Sequence, residues 1–242
     1  RKRKAGYAEM AAIELKAELK KQGWKKGEQT PKHLRKSLKK LRRLERQSDP
    51  NVDRTWQEFE EKVSFLQNWG YLNEELEFNA GARVLLHIQI QEIFTTEMFL
   101  EGVFEPLDPA TLFGVFCGMC CDLPRGVMVY ESRKYKHLGR RIQKIGNSDM
   151  VIAAAELSGV SVVWDHQLIP LGKAWAEGTS LSEILLTIRS PTDISGTLVG
   201  AFRRAKDLAG QMMSVWADDP ERVATLRALV REVSRDEVEV VA

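Results

Sequence analysis

Residues 192–216 read TDISGTLVGAFRRAKDLAGQMMSVW, and this stretch predicts one long helix with two different faces. Its apolar residues recur at helical spacing and form one stripe, made by Ile194, Leu198, Phe202, Ala205, Leu208, Met212 and Val215. A second row has the same spacing, but its residues are small or polar: Gly200, Arg204, Asp207, Gln211 and Ser214. The first row is expected to pack and the second to be displayed. Periodicity alone favours a solvated surface with an ion pair of Arg203 or Arg204 with Asp207.

The sequence around this helix also predicts helices. Their starting signals are Asp108-Pro109 and Asp219-Pro220, each an N-cap followed by a first-turn proline, and a capping box of Ser180 with Glu183. A helix over residues 52–69 is expected to turn its apolar residues toward a core, namely Trp56, Phe59, Val63, Leu66 and Trp69. The other predicted helices are 92–102, 109–122, 132–145, 150–157, 165–177, 181–188 and 220–235.

One region is expected to contain β structure. Tyr71-Leu72 and the segment 76–78 are separated by polar residues, and Asn79-Ala80-Gly81 leads into the segment 83–86. This pattern predicts a small strand pair or wing, and no strand is expected elsewhere.

The first 50 residues differ from the rest in charge. They hold 17 Lys and Arg against 6 Asp and Glu, a net charge of +11, whereas the remainder holds 19 against 28, a net charge of −9. A helix is predicted over residues 5–23, and a second follows Thr30-Pro31 with a narrow seam of Leu34, Leu38, Leu41 and Leu44. This pattern indicates a basic helical hairpin or stalk that could contact phosphates.

Known catalytic motifs are missing from this sequence. It contains no G-x-x-x-x-G-K-[ST] phosphate loop, no G-x-G-x-x-G, no G-x-S-x-G and no H-E-x-x-H. The chain begins at Arg1 without a signal-peptide pattern, which indicates a fragment, and its longest apolar stretch is too short to span a membrane. We therefore expect a non-catalytic piece with no membrane partner and no cofactor of its own.

The three cysteines and a few aromatic or polar residues have both a structural and a functional interpretation. Cys117, Cys120 and Cys121 lack the second half of a zinc site and are expected to be buried and unligated, in a reducing compartment. Asp165 is expected to cap a helix beside a partly buried His166 rather than to join a catalytic relay. Trp164 and Trp175 are expected to pack in the core rather than to stack on bases.

The order of several short motifs resembles the C-terminal (DSHCT-type) region of superkiller-type and exosome-associated DExH-box RNA helicases. The motifs are Phe65-Leu66-x-x-Trp69-Gly70-Tyr71-Leu72, then residues 79–84 (NAGARV), residues 96–104 (TEMFLEGVF) with Leu107-Asp108-Pro109, residues 173–184 (KAWAEGTSLSEI), and Gly196-Thr197-Leu198 with Phe202-Arg203-Arg204 and Asp207-Leu208. The resemblance covers about residues 52–238, and residues 1–50 match only in character.

The resemblance implies a mainly α architecture in three parts. Residues 1–50 would be a basic helical stalk, residues 51–91 the end of a winged-helix segment with its β wing, and residues 92–242 a C-terminal helical bundle. The helicase motor domains, which bind ATP and Mg²⁺ and hydrolyse ATP, would lie upstream. In the family the helix matching residues 192–216 lines the channel for the translocating strand.

Carried onto this chain, the resemblance makes Arg204 and Asp207 the first candidates for contact with nucleic acid, followed by Arg203 and Gln211. Gly200 departs from the family, in which arginine is common at that place. The implied function is to guide and grip single-stranded RNA during unwinding. The alternatives are a scaffold that recruits a ribonuclease or ribosome through the stalk, and part of a DNA helicase. The expected location is a bacterial cytoplasm, with an organelle as the alternative.

Overall fold

The structure is a computed structural model that describes residues 50–239, together with residues 15, 17–21, 37 and 40. The chain divides into two compact units, residues 1–66 and 67–242. Residues 15 and 17–21 are helical, in agreement with the helix predicted over residues 5–23. The four leucines of the predicted seam, Leu34, Leu38, Leu41 and Leu44, lie outside the described residues. The domain boundaries at residues 50 and 91 stay predictions.

The described chain is mainly helical, which confirms the predicted fold class. Most elements begin and end within three residues of their predicted bounds. In chain order they are α1 Pro50–Asn68, α2 Ala80–Leu85, α3 Glu92–Leu100, α4 Pro109–Cys120, β1 Met128–Val129, a 3₁₀ helix Tyr130–Tyr135, α5 Lys136–Gly146, α6 Asp149–Ser158, α7 Leu168–Ala176, α8 Leu181–Leu186, β2 Ile188–Arg189, α9 Ser195–Val215, α10 Pro220–Val233 and a second 3₁₀ helix Asp236–Val238.

The helix-start signals work as predicted because each depends on a contact only a few residues long. Asp108 accepts a hydrogen bond from the Thr111 backbone N–H at 2.9 Å, and Asp219 accepts one from that of Arg222 at 3.0 Å. At the start of α8, Ser180 and Glu183 form the reciprocal capping box.

The prediction of β structure was correct in one part and wrong in two. An antiparallel bridge joins Leu72 to Phe78, as expected for the start of the wing. Residues 80–85 are helical instead of extended, because Asn79 caps α2 by accepting a hydrogen bond from the Ala82 backbone N–H at 3.0 Å.

The described two-stranded sheet lies in the bundle, where the sequence predicts no strand. Strands β1 and β2 pair antiparallel, with Met128 opposite Arg189 and Val129 opposite Ile188. Each strand is only two residues long. Such a length cannot show the alternation by which a strand is recognised in a sequence.

Helix α1 does not bury its aromatic residues as predicted. The exposed fractions are 56% for Trp56 and 52% for Phe59. Their rings lie 5.3 Å apart, and the indole N–H of Trp56 donates to Glu60 Oε1 at 2.6 Å. Helical periodicity identified the aromatic side of this helix but not whether anything covers it.

The core of unit 67–242 is built around α4, whose residues 111–120 are all buried. Helix α7 approaches α4 closely where Gly114 faces Ile169, and Gly172 faces Cys117 and Gly114. Helix α9 packs across α4, and α10 packs against α9, α4 and α7. A helix surrounded in this way must be apolar on every side, which explains the composition of residues 112–119.

The apolar stripe of α9 packs into this core, as its spacing predicts. Ile194, Leu198, Phe202, Ala205, Leu208 and Met212 are all at most 2% exposed, whereas Val215, at the end of the helix, is half-buried. The Phe202 ring stacks on that of Trp175 with their centroids 5.1 Å apart. The direction of α9's other face is thereby determined, because a helix with one stripe in the core must turn the opposite side outward.

Candidate nucleic-acid interface

Arg204 and Asp207 lie on the outward face of α9 and are exposed. Neither side chain forms a hydrogen bond or a salt bridge with any other residue that the structure describes. The ion pair that periodicity favoured, of Arg203 or Arg204 with Asp207, is therefore not formed within the described chain. Two opposite charges three residues apart are thus displayed together while both stay available to a ligand.

The surface of α9 beside these charges lacks projecting side chains at two positions. An added Cβ at Gly196 or Gly200 would meet no atom within 4 Å. Both glycines precede Arg204 by whole helical steps of four residues, so they lie on the same side of α9. Without side chains at these positions, a long polymer can approach the backbone of the helix next to Arg204.

The other two candidates make contacts within the protein. The guanidinium of Arg203 donates to the backbone carbonyl of Glu237 at 2.6 Å, and Gln211 Oε1 accepts from the backbone N–H of Gln89 at 2.8 Å. Each of these bonds fastens α9 to a distant segment of the chain. In the structure, Arg204 and Asp207 are therefore displayed together, whereas Arg203 and Gln211 are hydrogen-bonded within the protein. The role of all four residues toward nucleic acid stays a prediction.

The C-terminal end of α4 lies near Arg204. Burial raises the pKa of the Cys120 thiol to about 12, while the nearby positive charge of Arg204 acts in the opposite direction. Burial also raises the pKa of Cys121, again opposed by Arg204. The carbonyl end of a helix carries partial negative charge, so a cation beside it is favourably placed. Arg204 thus lies near a helix terminus and forms no salt bridge with a carboxylate of the described chain.

The cysteines were predicted to be buried, and this holds for two of them. Cys117 and Cys120 are 0% and 2% exposed, but Cys121 is half-buried. The prediction failed for Cys121 because the helix ends at Cys120 and the chain turns outward there with extended backbone. Among the described residues, no group of three or more potential ligands could hold a metal ion.

Four other residues were given both a structural and a functional interpretation: Asp165, His166, Trp164 and Trp175. Asp165 Oδ1 accepts from the backbone N–H of Gln167 at 2.9 Å just before α7, and His166 is half-buried against Gly139. Trp175 is 1% exposed and donates its indole N–H to the Val233 carbonyl at 3.1 Å. Trp164 is half-buried and donates to the Gly139 carbonyl at 3.2 Å. These contacts confirm the structural interpretation of His166, Trp164 and Trp175. Asp165 is also held by a backbone contact, but it does not cap α7, whose N-cap is Gln167.

A second charged surface, on α5, was not identified from the sequence. Arg133, Lys136, Arg140 and Lys144 are all exposed, and the last three are four residues apart along the helix. Residues 123–148 hold seven Lys and Arg and a single acidic residue, Glu131. This local excess could have been found, but summing charge over the whole acidic body concealed it.

None of the described helices is both long and apolar enough to cross a membrane.

The buried core and the charged outward faces define a helical module whose candidate functional groups lie on its surface. Residues 75–240 match the DSHCT (NUC185) domain, which is the C-terminal domain of Ski2-like helicases. Since the match covers more than half of the chain, the protein belongs to the DSHCT family. A comparison with curated proteins found no match.

Proposed function

We propose that this chain is the non-motor C-terminal module of an ATP-dependent RNA helicase and that α9 grips single-stranded RNA during unwinding. The motor domains with their ATP and Mg²⁺ sites would precede it, and the basic stalk would guide RNA or a partner such as a ribonuclease or ribosome. The observation that carries the proposal is the exposed pair Arg204 and Asp207, which has no partner among the described residues although the helix itself is firmly held. Membership of the DSHCT family supports it.

The two side chains suit RNA in complementary ways. A guanidinium can bridge phosphate oxygens or stack on a base. A carboxylate can accept a hydrogen bond from a ribose 2′-hydroxyl or from a base amine, and only the first of these distinguishes RNA from DNA. We therefore assign phosphate or base contact to Arg204 and ribose contact to Asp207.

The test measures binding of a fluorescein-labelled 20-nucleotide single-stranded RNA to the 242-residue chain by fluorescence anisotropy. Each charge-assisted contact contributes roughly 1.5 to 3 kcal/mol, so Arg204→Ala with Asp207→Ala, which removes two such contacts, should weaken binding by about 100-fold or more. The melting temperature should change little, because neither side chain bonds to the described protein. In a longer protein with its motor domains, the double variant should slow unwinding and largely spare ATP hydrolysis.

The matched control is Asp218→Ala with Arg227→Ala, which removes the same two residue types from exposed positions elsewhere in the bundle. Its affinity should equal that of the unchanged chain. Equal affinity of the α9 variant and the control would make the outward face of α9 a plain solvated surface. Equal binding of a DNA strand of the same sequence would instead remove the ribose contact assigned to Asp207.

A further inference from the structure

The outward face of α5 presents a row of cations. Lys136, Arg140 and Lys144 are four residues apart, so successive side chains lie on the same side of the helix and are separated by about 6 Å along its axis. Arg133 extends the row by one turn into the preceding 3₁₀ helix. All four are exposed.

These four cations are not used inside the described protein. None of their side chains forms a hydrogen bond or salt bridge with another described residue, whereas those of their basic neighbours Lys134 and Arg141 do. Lys134 pairs with Glu131, and Arg141 donates to the backbone carbonyl of Glu101 at 2.6 Å. Like charges four residues apart also weaken a helix, so the row adds nothing to the stability of α5.

The opposite face of α5 holds the row in place. Ile142 is fully buried, Leu138 and Ile145 pack against the core, and Gly139 and Gly146 allow close approach of His166 and Phe94. A helix seated so closely cannot rotate to pair its cations with acids elsewhere. The charges therefore point to solvent in a rigid arrangement, which is the arrangement that a binding surface requires.

The positive charge of this surface is local. Residues 123–148 hold seven basic residues and one acidic one, whereas the rest of residues 51–242 holds 12 basic against 27 acidic. Within the acidic body, an isolated basic face attracts a polyanion that the surrounding surface repels. A nucleic-acid backbone is the polyanion that matches a regular row of Lys and Arg.

We propose that the outward face of α5 is a second nucleic-acid surface, which binds the sugar–phosphate backbone without reading the bases. This surface is distinct from the outward face of α9, because the two helices have different neighbours. Helix α5 packs mainly against α3, α6 and the first 3₁₀ helix. Helix α9 packs mainly against α4, α10 and the second 3₁₀ helix. The inference rests on the proposed function only in taking nucleic acid as the occupant. Phosphodiester chemistry is shared by RNA and DNA, so both should bind this surface equally.

The experiment compares Arg140→Gln with Lys144→Gln in the full chain against Arg227→Gln with Arg231→Gln on α10. The control pair has the same spacing, exposure and change in charge. The probes are fluorescein-labelled 20-nucleotide poly-U RNA and poly-dT DNA, each measured from 50 to 200 mM salt. Every phosphate that the variant no longer neutralises should lower the salt slope by about 0.7, so the α5 variant should lose about 1.4 in slope and about 25-fold in affinity at 0.1 M salt.

The charge-preserving exchange Arg140→Lys with Lys144→Arg should bind like the unchanged chain, which separates loss of charge from damage to the fold. Unchanged affinity and slope in the Gln variant would overturn the α5 surface, as would a loss no larger than that of the α10 control. If the Arg204 and Asp207 variant is weakened in the same series while the α5 variant is not, only this inference fails. The reverse pattern removes the α9 contact and leaves the α5 surface.

Discussion

Gly114 and Gly172 lie where helices α4 and α7 come closest. A methyl group at Gly114 would overlap the backbone carbonyl of Ile169, and one at Gly172 would lie 2.6 Å from Cys117 Sγ. Backbone atoms cannot move aside as the end of a flexible side chain can. At this contact the absence of a side chain is therefore a packing requirement, and it determines how near the two central helices can lie.

The substitution Gly114→Ala should destabilise the protein by about 3 kcal/mol, because the overlap can be relieved only by separating α4 from α7. Gly200→Ala is the control, since the same change there meets open space within a helix. It should stabilise the protein by up to about 1 kcal/mol, because alanine favours the helix over glycine. Urea unfolding followed by circular dichroism measures both. Two changes of the same sign would contradict the packing argument.

At the scale of the element, the start of α4 depends on Asp108. Its carboxylate accepts hydrogen bonds from the backbone N–H and hydroxyl of Thr111 at 2.9 and 2.6 Å, and Lys173 Nζ lies 3.3 Å away. Burial by itself would raise the pKa of Asp108. These hydrogen bonds and the charge of Lys173 outweigh it and hold that pKa below its ordinary value. The same side chain thus caps α4 and links it to α7.

This lowered pKa gives Asp108 a pH-dependent contribution to stability. A carboxyl group whose pKa is lower in the folded than in the unfolded state stabilises the fold above its unfolded pKa, and the contribution is lost as pH falls through the folded value. Asp108→Ala should therefore cost about 1 kcal/mol at pH 7 and progressively less in acid. Asp108→Asn should recover the cap but not the ion pair. Chemical unfolding from pH 7 to pH 2 is the measurement, and a constant difference over that range would contradict it.

Under the proposed function, helix α9 would serve both stability and binding. Its core side includes Phe202 stacked on Trp175, and its outward side carries Arg204 and Asp207. Hydrogen bonds from Gln89 to Gln211 and from Arg203 to Glu237 prevent the helix from turning. A rigid seat of this kind lets a small number of displayed side chains keep a defined geometry toward a strand.

At the scale of the whole molecule, charge is distributed unevenly. Residues 1–50 carry a net charge of +11 and the remainder −9, and within that acidic remainder the cations of α5 form a local exception. Nucleic acid should therefore meet the basic arm or the α5 row before any other part of the chain.

Removing residues 1–49 should leave the bundle folded, since unit 67–242 has its own core. It should also weaken binding of single-stranded RNA and lower the salt slope by about 0.7 for each phosphate that the arm neutralises. Anisotropy titrations at several salt concentrations, with melting curves of both proteins, test this. Unchanged affinity and slope would show that the arm has no part in guiding RNA.

The sequence by itself determined most of the helices, the caps at which α4, α8 and α10 begin, and the apolar stripe of α9. Each of these depends on neighbours within about one turn: Asp108 caps through Thr111, Ser180 through Glu183, and the stripe of α9 repeats every three or four residues. The family resemblance was also available from short motifs in order. For the candidate site, periodicity was enough to place Arg204 and Asp207 opposite the buried stripe.

Only the tertiary structure decided which surfaces are covered and which polar groups are occupied. Arg203 is bonded to a residue 34 positions away and Gln211 to one 122 positions away, and strands β1 and β2 are joined across a similarly long interval. Only the structure shows that Trp56 is exposed. Only the structure shows that the side chains of the α5 cations have no partner among the described residues. Periodicity shows which residues share a face, but the occupant of that face comes from a distant part of the chain. Contacts of that range leave no mark in local sequence.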